Sequence, residues 1–179
     1  MPEKPPVQKL RPDQYLKPTI SDDQTHRIGQ VIVSWSKLEA AMEDMIWMLL
    51  DLEDEDGKFL TKRLGADAKV QLLRGIGSRH ISDEALLAKF NETMRYVDEL
   101  KECRNFIAHG TWGTLMPDDI PVALSLKPKS EVGEVISETF SVDRMEGIFG
   151  GIQLMCQRFV DLPEQLGKPR RVPHESSRP

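Results

Sequence analysis

The chain has 179 residues, of which 39% are hydrophobic and 30% are charged, and its formal net charge is −5. This composition is typical of a single folded domain with its own apolar core. The acidic balance argues against a polybasic protein that coats nucleic acid, because such binding needs many cationic contacts with phosphates. Any contact with nucleic acid is therefore expected in a local cleft.

The cysteines and the hydropathy pattern indicate the compartment. Cys103 and Cys156 form neither a metal-ligand spacing nor a disulfide framework, and we expect both to be buried free thiols. No apolar run approaches the ~18 residues of a membrane span, and no apolar region follows the charged N-terminal residues as in a signal peptide. We expect a reduced, cytoplasmic protein without a membrane contact, a metal or a cofactor.

The first 50 residues predict an extended arm followed by a long helix. Residues 1–20 contain five prolines and little apolar content, which is typical of an extended arm. Ser21 and the two aspartates after it favour a helix start. Apolar residues then recur every three or four positions over about 22 residues, which predicts a core helix broad enough to serve a dimer interface as well. Its inward positions are Ile28, Val31, Trp35, Leu38, Met42, Met45 and Leu49.

Two more helices are predicted in the centre of the chain. The acidic run 51–57 ends the first helix. It is expected to be a solvated turn, since no register fits both Gly and Glu of a calcium loop. A second helix is predicted over 66–78 and a third over 84–109, started by Ser82 and Asp83. The inward positions are Ala68, Leu72, Leu73 and Ile76 in the second helix, and Leu86, Leu87, Phe90, Met94, Val97, Leu100 and Ile107 in the third.

The last third of the chain changes character at residue 111. Prolines interrupt 111–140, and the segments 122–126 and 135–140 alternate as strands do, with a hairpin loop between them. They predict a small β-hairpin flap of two or three strands between the third and fourth helices. A fourth helix starts near Ser141, with an apolar face over 145–159, and 167–179 is expected to be a disordered basic tail. The predicted fold is all-α: a four-helix bundle with a flap, forming one domain over 21–166.

The strongest functional signal closes the third helix. Arg104 carries a planar donor fork that suits phosphate, and His109 is of the residue type that most often serves as a general acid or base. Asn105 lies four residues before His109, on the same helical face, where it can hydrogen-bond to the imidazole. Arg104 lies about 140° around the helix and about 7.5 Å along its axis from His109. This offset favours a site that a second chain completes, and Gly110 is a candidate helix C-cap.

This spacing is common by chance, and a plain alternative exists. Arg74 and His80 also fit the general pattern of Arg, four to six residues and His. His109 could simply satisfy the last carbonyl groups of its helix, while Arg104 pairs with an acidic neighbour. The carboxylates within reach along the helix are Asp98, Glu99 and Glu102.

The chain resembles the HEPN superfamily (higher eukaryotes and prokaryotes nucleotide-binding) over residues 22–165. Two features carry the resemblance: the motif Arg104-Asn105-x-x-x-His109 at the end of the third predicted helix, and the Trp-Ser-x-Leu-Glu segment 35–39 in the first. The resemblance implies a metal-independent endoribonuclease, often a toxin or phage-defence component, which can have an antitoxin or defence protein as partner. It implies a homodimer whose two motifs form one cleft. His109 would be the general base or acid for attack of the ribose 2′-hydroxyl on the phosphate, Arg104 would hold the phosphate, and Asn105 would orient the imidazole. A non-catalytic relative that binds a nucleotide, RNA or a protein is the alternative.

An acidic protein that binds RNA needs cations beside its site. The candidates are Lys62, Arg63, Lys69, Arg74 and Arg79 around the second helix, together with the basic tail. A solvated helix face is the alternative for each of them. Trp112 either stacks on a base or packs over His109.

Two further patterns stay open. Glu39 and Glu43, one turn apart on the first helix, are either a carboxylate pair or two exposed helix charges. A helical dimerisation protein that uses the broad stripe of the first helix is a third functional hypothesis.

Overall fold

A computed structural model describes residues 15–116, 120–126 and 135–167 of the chain. These residues form five α-helices and four strands. The bounds are Tyr15–Lys17 for β1, Asp22–Leu49 for α1, Asp54–Thr61 for α2, Ala66–His80 for α3, Glu84–His109 for α4, Thr111–Met116 for β2, Ile120–Leu126 for β3, Val135–Thr139 for β4 and Val142–Gln165 for α5. The described part is mostly helical, with a small antiparallel sheet. None of its helices is long and apolar enough to cross a membrane.

The chain divides into two compact units. Unit 1 comprises residues 1–35 and 99–152, and unit 2 comprises residues 36–98 and 153–179. The sheet belongs to unit 1, α2 and α3 belong to unit 2, and α1, α4 and α5 contribute a segment to each. The arm before residue 15, the hairpin loop at 127–133 and the tail beyond residue 167 lie outside the described residues. The single domain over 21–166 stays a prediction.

α1 begins with a capping box and carries the predicted apolar stripe. The Ser21 Oγ accepts a hydrogen bond from the Gln24 N–H at 3.2 Å, and the Gln24 side-chain oxygen accepts one from the Ser21 N–H at 2.8 Å. These bonds satisfy donors that a helix start otherwise leaves open. The stripe is buried except at half-buried Ile28. Its buried members are Val31, Trp35, Leu38, Met42, Met45 and Leu49. The chain itself covers this stripe, and a dimer interface on α1 stays a prediction.

The end of α1 explains why the acidic run does not continue the helix. The Leu52 N–H donates to the Trp47 carbonyl at 2.9 Å, and the Asp51 N–H donates to the Met48 carbonyl at 3.3 Å. Asp51 has a φ of 56°, so this ending is a Schellman motif with Asp51 in the position that glycine usually takes.

α2 corrects the prediction of a solvated turn over 51–57. Its first turn holds three acidic side chains, which the helix dipole favours at an N-terminus. Its inner face consists of Gly57 and Thr61, both buried. Small residues that are typical of turns therefore form the packed side of this helix, which is why the apolar pattern did not reveal it.

The remaining helices start as predicted. The Asp83 Oδ1 accepts from the Leu86 N–H at 2.8 Å at the start of α4, and the Ser141 Oγ accepts from the Arg144 N–H at 3.2 Å at the start of α5. The predicted inward residues of α4 and α5 are buried, apart from the half-buried Leu87, Phe149 and Cys156.

α3 buries Leu73 and Ile76 as predicted, but the rest of its buried face is shifted from the predicted one. Ala68 is exposed and Leu72 is half-buried, whereas the charged Lys69 is buried. The buried residues of α3 are Lys69, Val70, Leu73, Ile76 and Gly77. The apolar pattern misplaced this face because it assumed that a lysine faces solvent.

The sheet follows α4 directly and gains one strand. Its order is β1-β2-β3-β4, and all pairs are antiparallel. The strands after α4 agree with the predicted flap, whereas β1 lies in the predicted arm. Gly113 allows β1 to approach, because a Cβ there would lie 2.5 Å from the Lys17 carbonyl oxygen. The four-helix bundle itself stays a prediction.

Gly77 and Gly75 offer a matched test of packing in α3. Gly77→Ala is expected to lower the free energy of unfolding by about 1–3 kcal/mol, since added core volume forces neighbours out of place. Its methyl would lie 2.3 Å from a Phe90 ring carbon. Gly75→Ala meets nothing within 4 Å. It should raise the free energy of unfolding by about 0.5–1 kcal/mol through helix propensity. Urea unfolding measures both, and equal effects would contradict the close packing of Gly77.

Candidate functional site

The last turns of α4, all within unit 1, carry the motif residues. Arg104 and Asn105 are half-buried and His109 is exposed. The helix ends at His109, and the Gly110 N–H donates to the Phe106 carbonyl at 2.8 Å. Among the described residues positive φ occurs at Asp51 and Gly167, so α4 ends without the left-handed glycine cap expected at Gly110.

Arg104 lies on the face of a buried tryptophan from α1. Its Cζ is 5.9 Å from the ring centroid of Trp35, within the range of a cation–π contact. One of its terminal nitrogens donates to the Asn105 Oδ1 at 3.3 Å, while its buried Nε has no hydrogen-bond partner. A donor buried in this way costs about 1–3 kcal/mol when it stays unpaired.

No carboxylate of the described residues pairs with Arg104. Asp98 forms its ion pair with Arg74, and Glu102 lies 3.9 Å from the Lys101 Nζ. The plain alternative, in which Arg104 is neutralised along its own helix, therefore does not occur. The guanidinium remains a half-buried positive charge with unused donor capacity.

Asn105 does not hold His109 as expected. The Asn105 Oδ1 accepts its hydrogen bond from Arg104, and no bond joins the Asn105 and His109 side chains in the described structure. The side chain of Asn105 therefore positions the guanidinium instead. The imidazole of His109 is exposed at the helix end and keeps its ring nitrogens accessible to a ligand.

Trp112 is engaged within the protein. Its indole N–H donates to the Ile107 carbonyl at 2.9 Å, which satisfies one of the last carbonyl groups of α4. Its ring lies 5.5 Å from that of buried Phe140, tilted by 49°. Of the two predicted roles, packing is therefore the one observed, although the partners are Phe140 and the helix end rather than His109.

The predicted phosphate-binding cations belong to unit 2 and divide into two groups. Arg74 forms an ion pair with Asp98 and donates to the Met94 carbonyl, so it has structural partners within the chain, and its substrate role stays a prediction. Lys62, Arg63 and Arg79 are exposed and form no ion pair with described residues.

Lys69 is the buried cation of unit 2. Its Nζ lies 2.7 Å from a Glu43 oxygen and 3.3 Å from a Glu39 oxygen. The two glutamates therefore form neither an exposed face nor a free carboxylate pair, since they neutralise one buried lysine. The positive charge of Lys69 is neutralised and its side chain is buried, so it is not available to a phosphate of RNA.

Among the described residues, neither a metal site nor a reactive cysteine competes with the α4 motif as the candidate site. The described residues contain no group of three or more His, Cys, Asp or Glu side chains that could hold a metal ion. Both cysteines are free and half-buried rather than buried. Partial burial raises the pKa of the Cys156 thiol, although the charge of Lys37 opposes this, so the reactive thiolate is disfavoured.

Comparison with known proteins identifies no relative of this chain. No protein-family model, no curated protein and no solved structure matches the chain. The support for a function lies in the side chains around Arg104.

Trp35 is the residue of this site that sequence reasoning missed. The heptad pattern assigned it to the core, and it is indeed buried. Its contact with Arg104 joins residues far apart in sequence, and no local pattern indicates such a pairing. The segment 35–39 pointed to the right helix without indicating the contact.

Lys69→Met tests whether this cation is structural. The change leaves Glu39 and Glu43 without their cation, and we expect the free energy of unfolding to fall by about 2–4 kcal/mol. Lys62→Met is the control, because Lys62 is exposed and forms no ion pair with described residues. Chemical denaturation should show no change for the control. If Lys69→Met leaves the free energy of unfolding unchanged, the structural role of Lys69 is contradicted.

Proposed function

We propose that this chain is a metal-independent endoribonuclease of HEPN type, acting as a homodimer in which two copies of the motif share one cleft. The observation that carries the proposal is the state of Arg104. Its guanidinium is half-buried and has no carboxylate partner among the described residues, on the helix that ends in the exposed His109.

The chemistry follows from these two side chains. The neutral imidazole of His109 takes the proton of a ribose 2′-hydroxyl, and the 2′-oxygen attacks the adjacent phosphorus. The bond to the 5′-oxygen breaks, and this leaving oxygen takes a proton from water, while the imidazolium of His109 returns its proton to solvent. The products are a 2′,3′-cyclic phosphate end and a 5′-hydroxyl end.

Arg104 stabilises the charge that develops on the phosphate oxygens. A well-placed donor of this kind contributes about 2.7–4 kcal/mol to transition-state stabilisation. Asn105 acts as a positioning residue, because its amide oxygen accepts a bond from the guanidinium and limits its rotation. The Trp35 ring supports the opposite side of the cation.

The proposal also includes the fold of the HEPN family, a four-helix bundle with a flap. α1, α3, α4 and α5 correspond to the four helices of a HEPN-like bundle, with β2–β4 as the flap. The capped starts of α1, α4 and α5 and the apolar stripes that they bury support this correspondence. α2 and β1 are then additions to that plan.

A second candidate is a non-catalytic module that binds a nucleotide or an RNA end. The observation that favours it is the bond between Arg104 and Asn105. These two side chains form an anion-binding pair that does not need the imidazole. In this case a phosphate binds beside Trp35, and no bond is cleaved.

Cleavage of a labelled RNA without added metal and in the presence of chelator tests the first candidate. We expect the wild type to produce 2′,3′-cyclic ends, and Arg104→Ala and His109→Ala to lose about 10²–10³-fold or more in rate. Arg95→Ala, on the same helix, and His80→Ala, an exposed histidine of α3, are the matched controls and should retain activity.

Binding of the same RNA separates the two candidates. His109→Ala should still bind RNA while Arg104→Ala should not, because the phosphate contact is assigned to Arg104. A wild type that binds but never cleaves between pH 6 and 8, where histidine titrates, points to the binding module. If Arg104→Ala neither weakens binding nor slows cleavage, both candidates are wrong.

Mixing two inactive variants tests the shared cleft. Heterodimers of Arg104→Ala and His109→Ala chains retain one Arg104 and one His109 on different protomers. If the cleft is composite, the mixture should regain activity, up to about half of the wild-type rate for random pairing. A mixture of exchanging dimers that stays inactive contradicts the composite cleft.

A further inference from the structure

α2 is held firmly on the C-terminal half of α1. The Thr61 Oγ1 accepts from the Trp47 indole N–H at 3.1 Å and donates to the Gly57 carbonyl at 2.9 Å. Gly57 lies so close to the Trp47 ring that a Cβ would meet a ring carbon at 2.5 Å. All three residues belong to unit 2 and are buried. The orientation of α2 is therefore fixed, and its opposite face is presented in one defined way.

The opposite face carries an unusually exposed aromatic side chain. Phe59 is 88% exposed, more than any other large hydrophobic residue of the described chain, and the neighbouring Leu60 is 42% exposed. Burying a phenylalanine contributes about 1.5–3 kcal/mol, which this position forgoes in the isolated chain. The face gains that free energy only when a partner covers it.

The charges around Phe59 form a symmetric pattern. Glu55 and Asp56 lie four and three residues before it, and Lys62 and Arg63 lie three and four residues after it. Residues at these spacings share a face in a helix, and Lys62 and Arg63 lie in the turn that directly follows Thr61. Lys62 continues the helical backbone, with φ −51° and ψ −31°. None of the four charges forms an ion pair with described residues.

This pattern is complementary to itself. When two copies of α2 lie antiparallel across a twofold axis, the acidic pair of one copy faces the basic pair of the other at both ends, and the two Phe59 rings meet in the middle. An isologous interface has this property, since each residue contacts the symmetry-related counterpart of its own partner.

We propose that the outer face of α2, formed by Glu55, Asp56, Phe59, Lys62 and Arg63, is a self-association surface that pairs antiparallel with a second copy of this chain. Single-stranded RNA fits it less well, because the two acidic side chains on the same face repel phosphates. The apolar stripe of α1 is already covered, so it does not compete for the role. This surface stands independently of the ribonuclease proposal.

The size of the surface sets the strength of the contact. One eight-residue helix offers less area than the roughly 1,000 Å² of a stable interface. We expect a reversible association, additional to the dimer proposed for the motif cleft, with a dissociation constant on the order of micromolar or weaker, which tightens at low salt because charges face each other.

Charge-reversed variants of the full-length protein test the surface in sedimentation experiments. Variant A carries Glu55→Lys and Asp56→Lys, and variant B carries Lys62→Glu and Arg63→Glu. Each alone brings like charges together and should lose the association through α2, while the dimer proposed for the motif cleft is unaffected. An equimolar mixture restores opposite charges at both ends, so A and B should associate about as strongly as the wild type, within about tenfold.

Phe59→Ala is the second test and does not depend on the charge changes. It should weaken association by about tenfold or more, and it should leave the thermal unfolding midpoint unchanged because the ring is exposed. Val33→Ala is the matched control, since Val33 is 61% exposed on α1, outside the proposed surface. It should leave both association and unfolding unchanged.

Three outcomes overturn the proposal. The wild type could show no association beyond the dimer proposed for the motif cleft, this further association could survive in Phe59→Ala and in both charge variants, or the mixture of A and B could fail to restore it. If B instead loses binding to single-stranded RNA, A binds it more tightly and neither changes association, the face binds RNA. RNA cleavage by the wild type is read separately, so a failed surface does not count against the nuclease.

Discussion

The apolar stripe of α1 is the constraint on which the rest of the structure depends. It supplies Trp35 to unit 1, and the same helix supplies Trp47, which lies beside the stripe, to unit 2. Each ring packs fully and also determines a polar arrangement: Arg104 lies on Trp35, and α2 is tied to Trp47 through Thr61. Indole rings suit this double role because they bury a large apolar surface while the π face or the N–H still engages a polar group. One helix thus fixes both the candidate site and the proposed self-association surface.

Three cations, Lys69, Arg74 and Arg104, differ in whether an acidic side chain neutralises them, and this difference bears on function. In unit 2 the buried Lys69 is neutralised by two glutamates, and Arg74 is paired with Asp98, so these cations stabilise the fold. In unit 1 the half-buried Arg104 has an aromatic face and an amide oxygen but no carboxylate among the described residues. A cation that stays without an acidic partner in a partly buried setting keeps its capacity for an external anion. This contrast favours Arg104 as the phosphate-binding group.

Sequence reasoning worked where the signal is local. Ser21, Asp83 and Ser141 start helices because their side chains reach backbone N–H groups three residues on. The periodic stripes of α1, α4 and α5 are buried as their spacing indicated, since helical geometry alone places those residues on one side. It failed where a residue distant in sequence determines which side chains are buried. Lys69 is buried because Glu39 and Glu43, about thirty residues earlier in sequence, neutralise it, and the packed face of α2 needs glycine at position 57 because the Trp47 ring leaves no room for a side chain.

The sequence by itself determined the helical character of the chain, the starts of its main helices, the strands that follow α4 and the presence of Arg104, Asn105 and His109 on one helix end. All of these follow from contacts between residues a few positions apart. Only the tertiary structure decided that Asn105 holds Arg104 rather than His109, that Trp112 caps α4 and packs on Phe140, and that Arg104 rests on Trp35 without an acidic partner in the described chain. These outcomes depend on which side chains reach each other across the fold, and helical spacing alone does not set those distances.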